Sequence, residues 1–201
     1  MMELDHLVIA TEDLGEGARE IEDLLGLELA PGGVHERMGT HNRLLNLGTV
    51  YLEIIAINPA AAAPGRPRWY ALDGFKAPTR LTHWAARCDM LSDAPPEAGE
   101  PQEFTRGDLR WRMAVPADGV LPFSGVHPAL LQWEGVNHPC KTLPESGCRL
   151  KSLELRHPDA KGVEAALASL QGDWPEVTVV QGPVALVATL STPQGDVQLP
   201  A

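Results

Sequence analysis

The chain has 201 residues, of which 44% are hydrophobic and 21% are charged, so its composition is neither that of a disordered chain nor that of a membrane-spanning one. Sixteen basic residues against twenty-seven acidic residues give a net charge of −11, which disfavours nucleic acid and anionic membranes as partners. The first residues lack the basic start and apolar stretch of a secretory signal, and the three cysteines lack CxxC spacing. We therefore expect a cytoplasmic protein without a disulfide framework or a thiolate zinc site.

The N-terminal part of the chain predicts the order strand, helix, strand, strand, strand. The apolar run 4–11 is rich in β-branched residues and predicts the first strand. Apolar residues recur at helical spacing over 17–25, and Gly26 follows where a helix commonly ends. The apolar runs 44–47 and 50–57 predict late strands joined by a hairpin turn.

A four-residue pattern that opens the first strand occurs three times. The copies are Leu4-Asp5-His6-Leu7, Leu81-Thr82-His83-Trp84 and Leu150-Lys151-Ser152-Leu153. Each copy continues as a predicted strand and then reaches an Asp shortly before a helical or helix-like stretch. Such self-similarity is a stronger signal than any single propensity, and it predicts repeated βαβββ modules.

The repeats divide the chain into three modules that we expect to form a single compact domain. The predicted boundaries are 1–57 for the first module, 58–78 for a linker, 79–140 for the middle module and 148–201 for the C-terminal module. The middle module is degraded, because Pro95 and Pro96 make the segment 92–102 a poor helix. Its strands at 109–115 and 130–134 are still recognisable, and the third module repeats the full order of elements.

Two polar residues lie within otherwise apolar strands of the first module. Side chains alternate across a strand, so His6 shares a face with Val8, and Glu53 shares a face with Ile55. A carboxylate on such a face is costly to bury unless it is paired, hydrogen-bonded or bound to a metal. A satisfied core histidine is the alternative interpretation of His6.

The middle module supplies counterparts of these two residues. His83 repeats the position of the first histidine, and Gln132 occupies the place that corresponds to the carboxylate. Two histidines, one carboxylate and one amide suit Zn²⁺, Mn²⁺, Fe²⁺ or Ni²⁺ and leave open positions for substrate oxygens. If the third module faced the first instead, the counterparts would be Ser152 and Gln198, which would hold a metal poorly.

A polar stretch follows a predicted turn at Pro31-Gly32-Gly33 and combines imidazole, hydroxyl and amide groups. Its candidates are His35 and His41 for acid–base catalysis and Thr40 and Asn42 for substrate binding. Turn chemistry, in which the hydroxyl and the amide bond neighbouring peptides, is the alternative interpretation. From the middle module, Trp133 and His138 are expected to line the same pocket as substrate-binding residues.

These motifs resemble a known superfamily. The first strand with Leu-Asp-His-Leu-Val and the late strand with Tyr-Leu-Glu-Ile look like the vicinal oxygen chelate superfamily, which includes glyoxalase I and extradiol dioxygenases. The stretch 31–42, with Gly-Gly-x-His and then Gly-Thr-x-Asn, is similar to the glyoxalase-like domain family. The resemblance implies an α+β fold in which βαβββ modules form a curled, half-open mixed β-barrel with flanking helices. It also implies a divalent metal inside, with His6 and Glu53 among its ligands.

Two functions from different classes are compatible with these features. The leading hypothesis is a metal-dependent lyase, isomerase or dioxygenase acting on a small oxygenated substrate, in which the metal polarises an oxygen and a side chain moves a proton. The alternative is a metal-free protein of the same fold that binds or sequesters a small molecule, because fold alone does not decide function. The expected partners are a small-molecule ligand and, through an unpaired sheet edge, a second copy of the chain in a homodimer.

Overall fold

The computed structural model describes the backbone of residues 1–201 and every side chain except that of Asp93. The first module contains β1 (Met2–Ala10), α1 (Leu14–Leu25), β2 (Ala30–His35), β3 (Thr40–Asn46) and β4 (Tyr51–Ile57). The middle module contains β5 (Arg80–Arg87), β6 (Glu100–Arg106), β7 (Leu109–Val115) and β8 (Ala129–Trp133). The rest of the chain contains α2 (Pro139–Thr142), β9 (Arg149–His157), α3 (Ala160–Ser169), β10 (Gly172–Asp173), β11 (Val177–Gln181), β12 (Ala185–Thr192) and β13 (Gly195–Gln198). Among the described residues, none of the helices has the length and apolar character required to cross a bilayer.

Eight of these strands form one curled sheet. Their order is β2-β3-β4-β1-β5-β8-β7-β6, and the short strand β10 adds to the beginning of β1. Strands β1 and β4 run parallel, as do β5 and β8, whereas β1 and β5 meet antiparallel at the centre. The predicted α+β fold with a half-open barrel is confirmed, and the module that lies beside the first is the middle one.

The last strands form a second sheet with the order β11-β9-β12-β13. Strand β9 is parallel to β11 and antiparallel to β12, whereas the opening strand of the first module lies beside the last strand of that module. The third module therefore repeats the predicted order of elements but not the strand pairing of the first. Leu153 and Leu190 of this sheet join Leu7 and Trp84 of the curled sheet in one hydrophobic core, which Ile21 of α1 also enters.

Helix α1 begins and ends where the sequence predicts. The Asp13 side chain accepts a hydrogen bond from the Glu16 backbone N–H at 2.9 Å and so caps the first turn. Gly26 ends the helix with φ of 65°, a left-handed conformation that glycine adopts without steric cost. The helix buries Ile21 and Leu25 against the sheet, which fixes the side of β1 that faces away from the concave surface.

The predicted turn at Pro31-Gly32-Gly33 is wrong, because these residues belong to strand β2. The pairing of β2 with β3 is irregular between Pro31 and Val34, as at a β-bulge. A Cβ atom on Gly32 would lie only 2.1 Å from Asn42 Oδ1, so glycine is required for the close approach of the two strands. The Gly-Gly pair therefore serves strand packing next to the site rather than a chain reversal.

A short 3-10 segment, Trp69–Gly74, enters the concave side of the curled sheet from within the predicted linker. Tyr70 and Ala71 adopt left-handed backbone conformations with φ of 57° and 51°, each of which costs a non-glycine residue about 1–3 kcal/mol. The Ala71 N–H donates to the Gly119 carbonyl oxygen at 2.9 Å and holds the segment in place. As a result Trp69 and Tyr70 are buried in the concave cluster of apolar side chains.

Candidate functional site

A small cavity lies within the concave face of the curled sheet. Its aromatic walls are Tyr51, Trp69, Tyr70, Trp111 and Trp133, and its polar lining is His6, His35, Glu53 and Arg106. Its volume is about 20 Å³, which compares with about 10–15 Å³ for a single water molecule. The cavity in this conformation accommodates a reacting group rather than a whole substrate.

His6 is oriented by the residue that precedes it. The pairing of β1 with β5 shifts by one residue between Leu4 and His6, so Asp5 is the extra residue of a β-bulge. The bulge brings the Asp5 carboxylate beside the imidazole, where Oδ1 accepts from His6 Nδ1 at 2.6 Å. Because a carboxylate only accepts, Nδ1 carries a proton, and Nε2 is the ring nitrogen that faces the cavity. Tyr51 stacks on the same ring with centroids 4.5 Å apart and fixes its plane.

Asp5 is a completely buried carboxylate with several donors. Its Oδ2 accepts from Trp133 Nε1 at 2.8 Å and from His138 Nε2 at 3.0 Å, and Arg87 Nη1 lies 3.8 Å away. Burial by itself would raise the pKa of Asp5, but the hydrogen bonds from His138 and His6 outweigh it and hold the pKa far below its usual range. The carboxylate is therefore ionised and links both halves of the curled sheet.

Glu53 reaches the cavity from β4 with one oxygen fixed and the other available. Asn42 Nδ2 donates to Oε1 at 2.5 Å, and the Asn42 carboxamide is itself held by the Gly33 N–H, which donates to Oδ1 at 2.8 Å. The other oxygen, Oε2, lies 3.6 Å from His6 Nε2. Two groups that accept protons, a carboxylate and an imidazole, thus face each other across a buried space.

The four candidates of the polar stretch lie on β2 and β3. His35 lines the cavity, and Thr40 and Asn42 contact lining residues from behind. His35 Nδ1 lies 3.0 Å from Thr40 Oγ1, and His35 Nε2 lies 3.4 Å from Asn42 Nδ2. Burial lowers the pKa of His35 well below its ordinary value, and the charge of Arg106 lowers it further, so the ring is neutral. His41 alternates with Thr40 and Asn42 on β3 and does not line the cavity.

Tyr70 occupies the space between the histidines of the first two modules. Its hydroxyl lies 3.5 Å from His6 Nε2, and its ring centroid lies 5.0 Å from that of His83. Burial and then the charges of Glu53 and Asp5 raise the pKa of Tyr70 well above its ordinary value, so the phenol stays protonated and can donate. Behind it, burial lowers the pKa of His83 to about 3, followed by the effect of the Arg80 charge.

Gln132 does not reach the cavity. Its neighbours Leu131 and Trp133 line the cavity, so the alternation of β8 turns Gln132 to the other face. There its Oε1 accepts from the Leu91 backbone N–H at 3.0 Å. Val8 pairs with Glu53, and Ala85, its counterpart in the middle module, pairs with Ala129. The residue that corresponds to Glu53 is therefore Ala129, three positions before Gln132.

The predicted metal set of His6, Glu53, His83 and Gln132 is not assembled. Tyr70 lies between the two histidines, and the amide is on the opposite face of the sheet. Across the side chains that the structure describes, no group of three His, Cys, Asp or Glu residues is arranged to hold a metal ion. The donor set present therefore does not fit a divalent centre of the expected kind for Zn²⁺, Mn²⁺, Fe²⁺ or Ni²⁺.

Sequence reasoning missed four ionisable residues of the site: Asp5, Tyr51, Tyr70 and Arg106. The Asp-His dipeptide in the first strand was a signal for Asp5, but strict alternation places neighbouring side chains on opposite faces unless a bulge intervenes. Tyr70 follows a tryptophan in a segment that lacks any periodicity. Trp133 and His138, which were expected near the pocket, meet there through their hydrogen bonds to the Asp5 carboxylate.

The curled half-barrel with a polar cavity in its concave face is the fold that the resemblance to the vicinal oxygen chelate superfamily implies. A family model described as a glyoxalase-like domain matches residues 4–171 of the chain. The chain belongs to the family of glyoxalase-like domains, as the sequence motifs indicate.

Solved structures with a similar fold share little sequence with this chain. A hypothetical protein from Staphylococcus aureus aligns with a TM-score of 0.62 and 13% identity over 98% of this chain and 84% of its own. A hypothetical protein from Bacillus halodurans gives a TM-score of 0.47 and 17% identity over 68% and 96%. A methylmalonyl-CoA epimerase from Mycobacterium tuberculosis aligns with a TM-score of 0.43 and 18% identity over 67% of this chain and 88% of its own. These identities establish the fold alone, and no curated protein matches the sequence.

Proposed function

We propose that the chain is an enzyme of lyase or isomerase type that moves a proton on a small oxygenated substrate. The observation that carries the proposal is the 3.6 Å distance between His6 Nε2 and Glu53 Oε2, both buried and both facing one cavity. The first group is backed by Asp5 and the second by Asn42, so each has a defined orientation. Positioned pairs of this kind are what general acid–base catalysis requires.

In the proposed mechanism each group has a different task. Glu53 Oε2 takes the proton from a substrate carbon next to a carbonyl or carboxylate group, and the electron pair of the broken C–H bond moves into that group, which becomes an enolate. The Tyr70 hydroxyl donates a hydrogen bond to the developing oxygen anion, and His6 Nε2 takes the proton of a hydroxyl on the reacting carbon and returns it when the enolate collapses. Glu53 then returns its proton to carbon. Because the cavity is small and buried, these interactions are little screened by water.

A second candidate function is a metal-free binding protein that sequesters a small molecule. The observation that favours it is the aromatic lining, since Trp69, Trp111 and Trp133 surround the polar groups and offer stacking surfaces.

For either function we propose a cytoplasmic location and a homodimer. The dimer is supported by β13, which forms an edge of the second sheet.

The proposal predicts exchange of a carbon-bound hydrogen with solvent. The protein is incubated in ²H₂O with a panel of small 2-hydroxy and 2-oxo compounds, and the loss of proton signals is followed by ¹H NMR. We expect at least one compound to exchange, and His6→Gln to slow that exchange by about 10²-fold or more. His41→Gln is the matched control, because His41 is also on the module but outside the cavity. If no compound exchanges while several change the tryptophan fluorescence saturably, the binding function replaces the enzymatic one.

Tyr70→Phe tests the group that faces the substrate oxygen. The ring contacts with His83 and Trp69 remain, so we expect the free energy of unfolding to change by no more than about 1.5 kcal/mol. The lost donor should reduce kcat for exchange by about 10²–10³-fold and leave KM nearly unchanged. A rate within twofold of the wild type, in a variant of wild-type stability, would remove Tyr70 from the mechanism.

A further inference from the structure

Arg106 stands at the boundary between the inner cavity and a larger outer groove. It is the last residue of β6, and its side chain lines both spaces. The outer groove has a volume of about 680 Å³ and apolar walls that include Leu44, Leu109 and Leu143. A substrate too large for the inner cavity would therefore pass Arg106 on its way to Glu53.

Strand β2 provides the room for this arginine. A Cβ atom on Gly33 would lie 2.8 Å from both Cγ and Cδ of Arg106, so the aliphatic part of the side chain lies directly over the glycine. Strands β2 and β6 are the two edges of the curled sheet. The Arg106 side chain thus spans the gap between these edges, and glycine at position 33 is a condition for that arrangement.

The guanidinium group of Arg106 is not paired with a carboxylate among the described side chains. It forms no salt bridge with any side chain that the structure describes, whereas Arg68 pairs with Asp73 and Arg87 pairs with Glu3. Besides two imidazoles, the lining of the inner cavity contains the carboxylate of Glu53 and the guanidinium of Arg106. The influence of Arg106 on the His35 pKa shows that its positive charge is felt inside the cavity.

We propose that Arg106 binds the carboxylate of the substrate, and that the substrate class is small carboxylates with an oxygen on the adjacent carbon. The planar guanidinium matches a carboxylate with two parallel hydrogen bonds. With the carboxylate at Arg106, the adjacent carbon enters the inner cavity towards Glu53 and the rest of the molecule lies in the outer groove. This inference rests on the proposed function for the identity of the reacting carbon, but the binding of the carboxylate does not depend on catalysis.

The test compares ligands that differ in charge alone. Lactate and lactamide, and then 2-hydroxyhexanoate and its amide, are titrated at constant ionic strength and followed by tryptophan fluorescence. We expect each carboxylate to bind about 10–100-fold more tightly than its amide, and Arg106→Gln to abolish this preference without weakening the amides. Arg110→Gln is the matched control, since Arg110 is exposed on the other face of the same hairpin and should keep the preference.

The outcomes separate this inference from the proposed function. Equal affinity for carboxylate and amide, or a preference that survives Arg106→Gln, overturns the carboxylate site. A carboxylate preference that depends on Arg106, together with no hydrogen exchange in ²H₂O, supports the site and refutes proton transfer. Exchange of a carboxylate compound at a rate unaffected by Arg106→Gln supports proton transfer and overturns the carboxylate site.

Discussion

Replacing Asp5 with alanine is expected to lower the free energy of unfolding by about 3–5 kcal/mol, the usual cost of removing one partner from a buried ionic network. The carboxylate is completely buried and accepts from His6, Trp133 and His138. Without it, the buried His6 and the half-buried Trp133 and His138 lose their acceptor at once, and Arg87 loses a nearby charge. Urea unfolding at pH 7, followed by circular dichroism, measures the difference.

The same residue makes stability dependent on pH. Hydrogen bonds in the folded state hold the pKa of Asp5 far below the value of about 3.9 for an unfolded aspartate. A depressed folded-state pKa means that the stabilisation is fully present above pH 4 and is lost progressively as the pH falls towards the folded-state pKa. The wild type should therefore lose stability more steeply below pH 4 than Asp5→Asn, which has no carboxylate to protonate at this position.

Glu3→Ala is the matched control for Asp5→Ala. Glu3 lies two residues away on β1 and also pairs with Arg87, at 2.7 Å, but its side chain is 56% exposed. Its removal should cost no more than about 1 kcal/mol, as for other surface ion pairs. Equal effects of the two substitutions would show that the buried network around Asp5 does not hold the two modules together.

The fold could be predicted because its signals are periodic. Alternating apolar residues define β1 and β4, helical spacing defines α1, and the recurrence at His83 identifies a second module. The third copy of the motif, by contrast, predicts the order of the helix and strands along the chain but not which strands pair. Strand pairing depends on which apolar faces meet in three dimensions, and a single sequence does not contain that information.

The site could be predicted only where its residues follow regular alternation. His6 and Glu53 do so, and both face the cavity. Asp5 reaches the His6 ring through a bulge, and Tyr70 reaches the cavity through two consecutive left-handed residues. Irregular backbone of this kind has no periodicity, so secondary-structure propensities and hydrophobic patterns do not predict it. Gln132 shows the converse, since an error of three residues in the correspondence, like any odd number, places the side chain on the other face of the sheet.

Glu53→Gln should reduce the rate of hydrogen exchange by about 10²–10⁴-fold, the contribution typical of a positioned general base. The amide keeps the shape of the carboxylate, and its oxygen can still accept from Asn42 Nδ2, so the fold and KM should change little. The replaced oxygen is the one that faces His6, 3.6 Å away, and an amide nitrogen there carries no lone pair that can take a proton from carbon.

Glu53→Asp separates a chemical role from a structural one. Aspartate retains the charge but withdraws it by one methylene from His6 Nε2, so exchange should recover in part, to a rate between those of the wild type and Glu53→Gln. If Glu53 served packing alone, exchange would be slower in Glu53→Asp than in Glu53→Gln. The shorter aspartate leaves a void beside Asn42, whereas glutamine fills the space. Exchange that is faster in Glu53→Gln than in Glu53→Asp would therefore assign proton abstraction to another group, and the neutral imidazole of His35, 4.0 Å from Glu53 Oε1, would be the next to test.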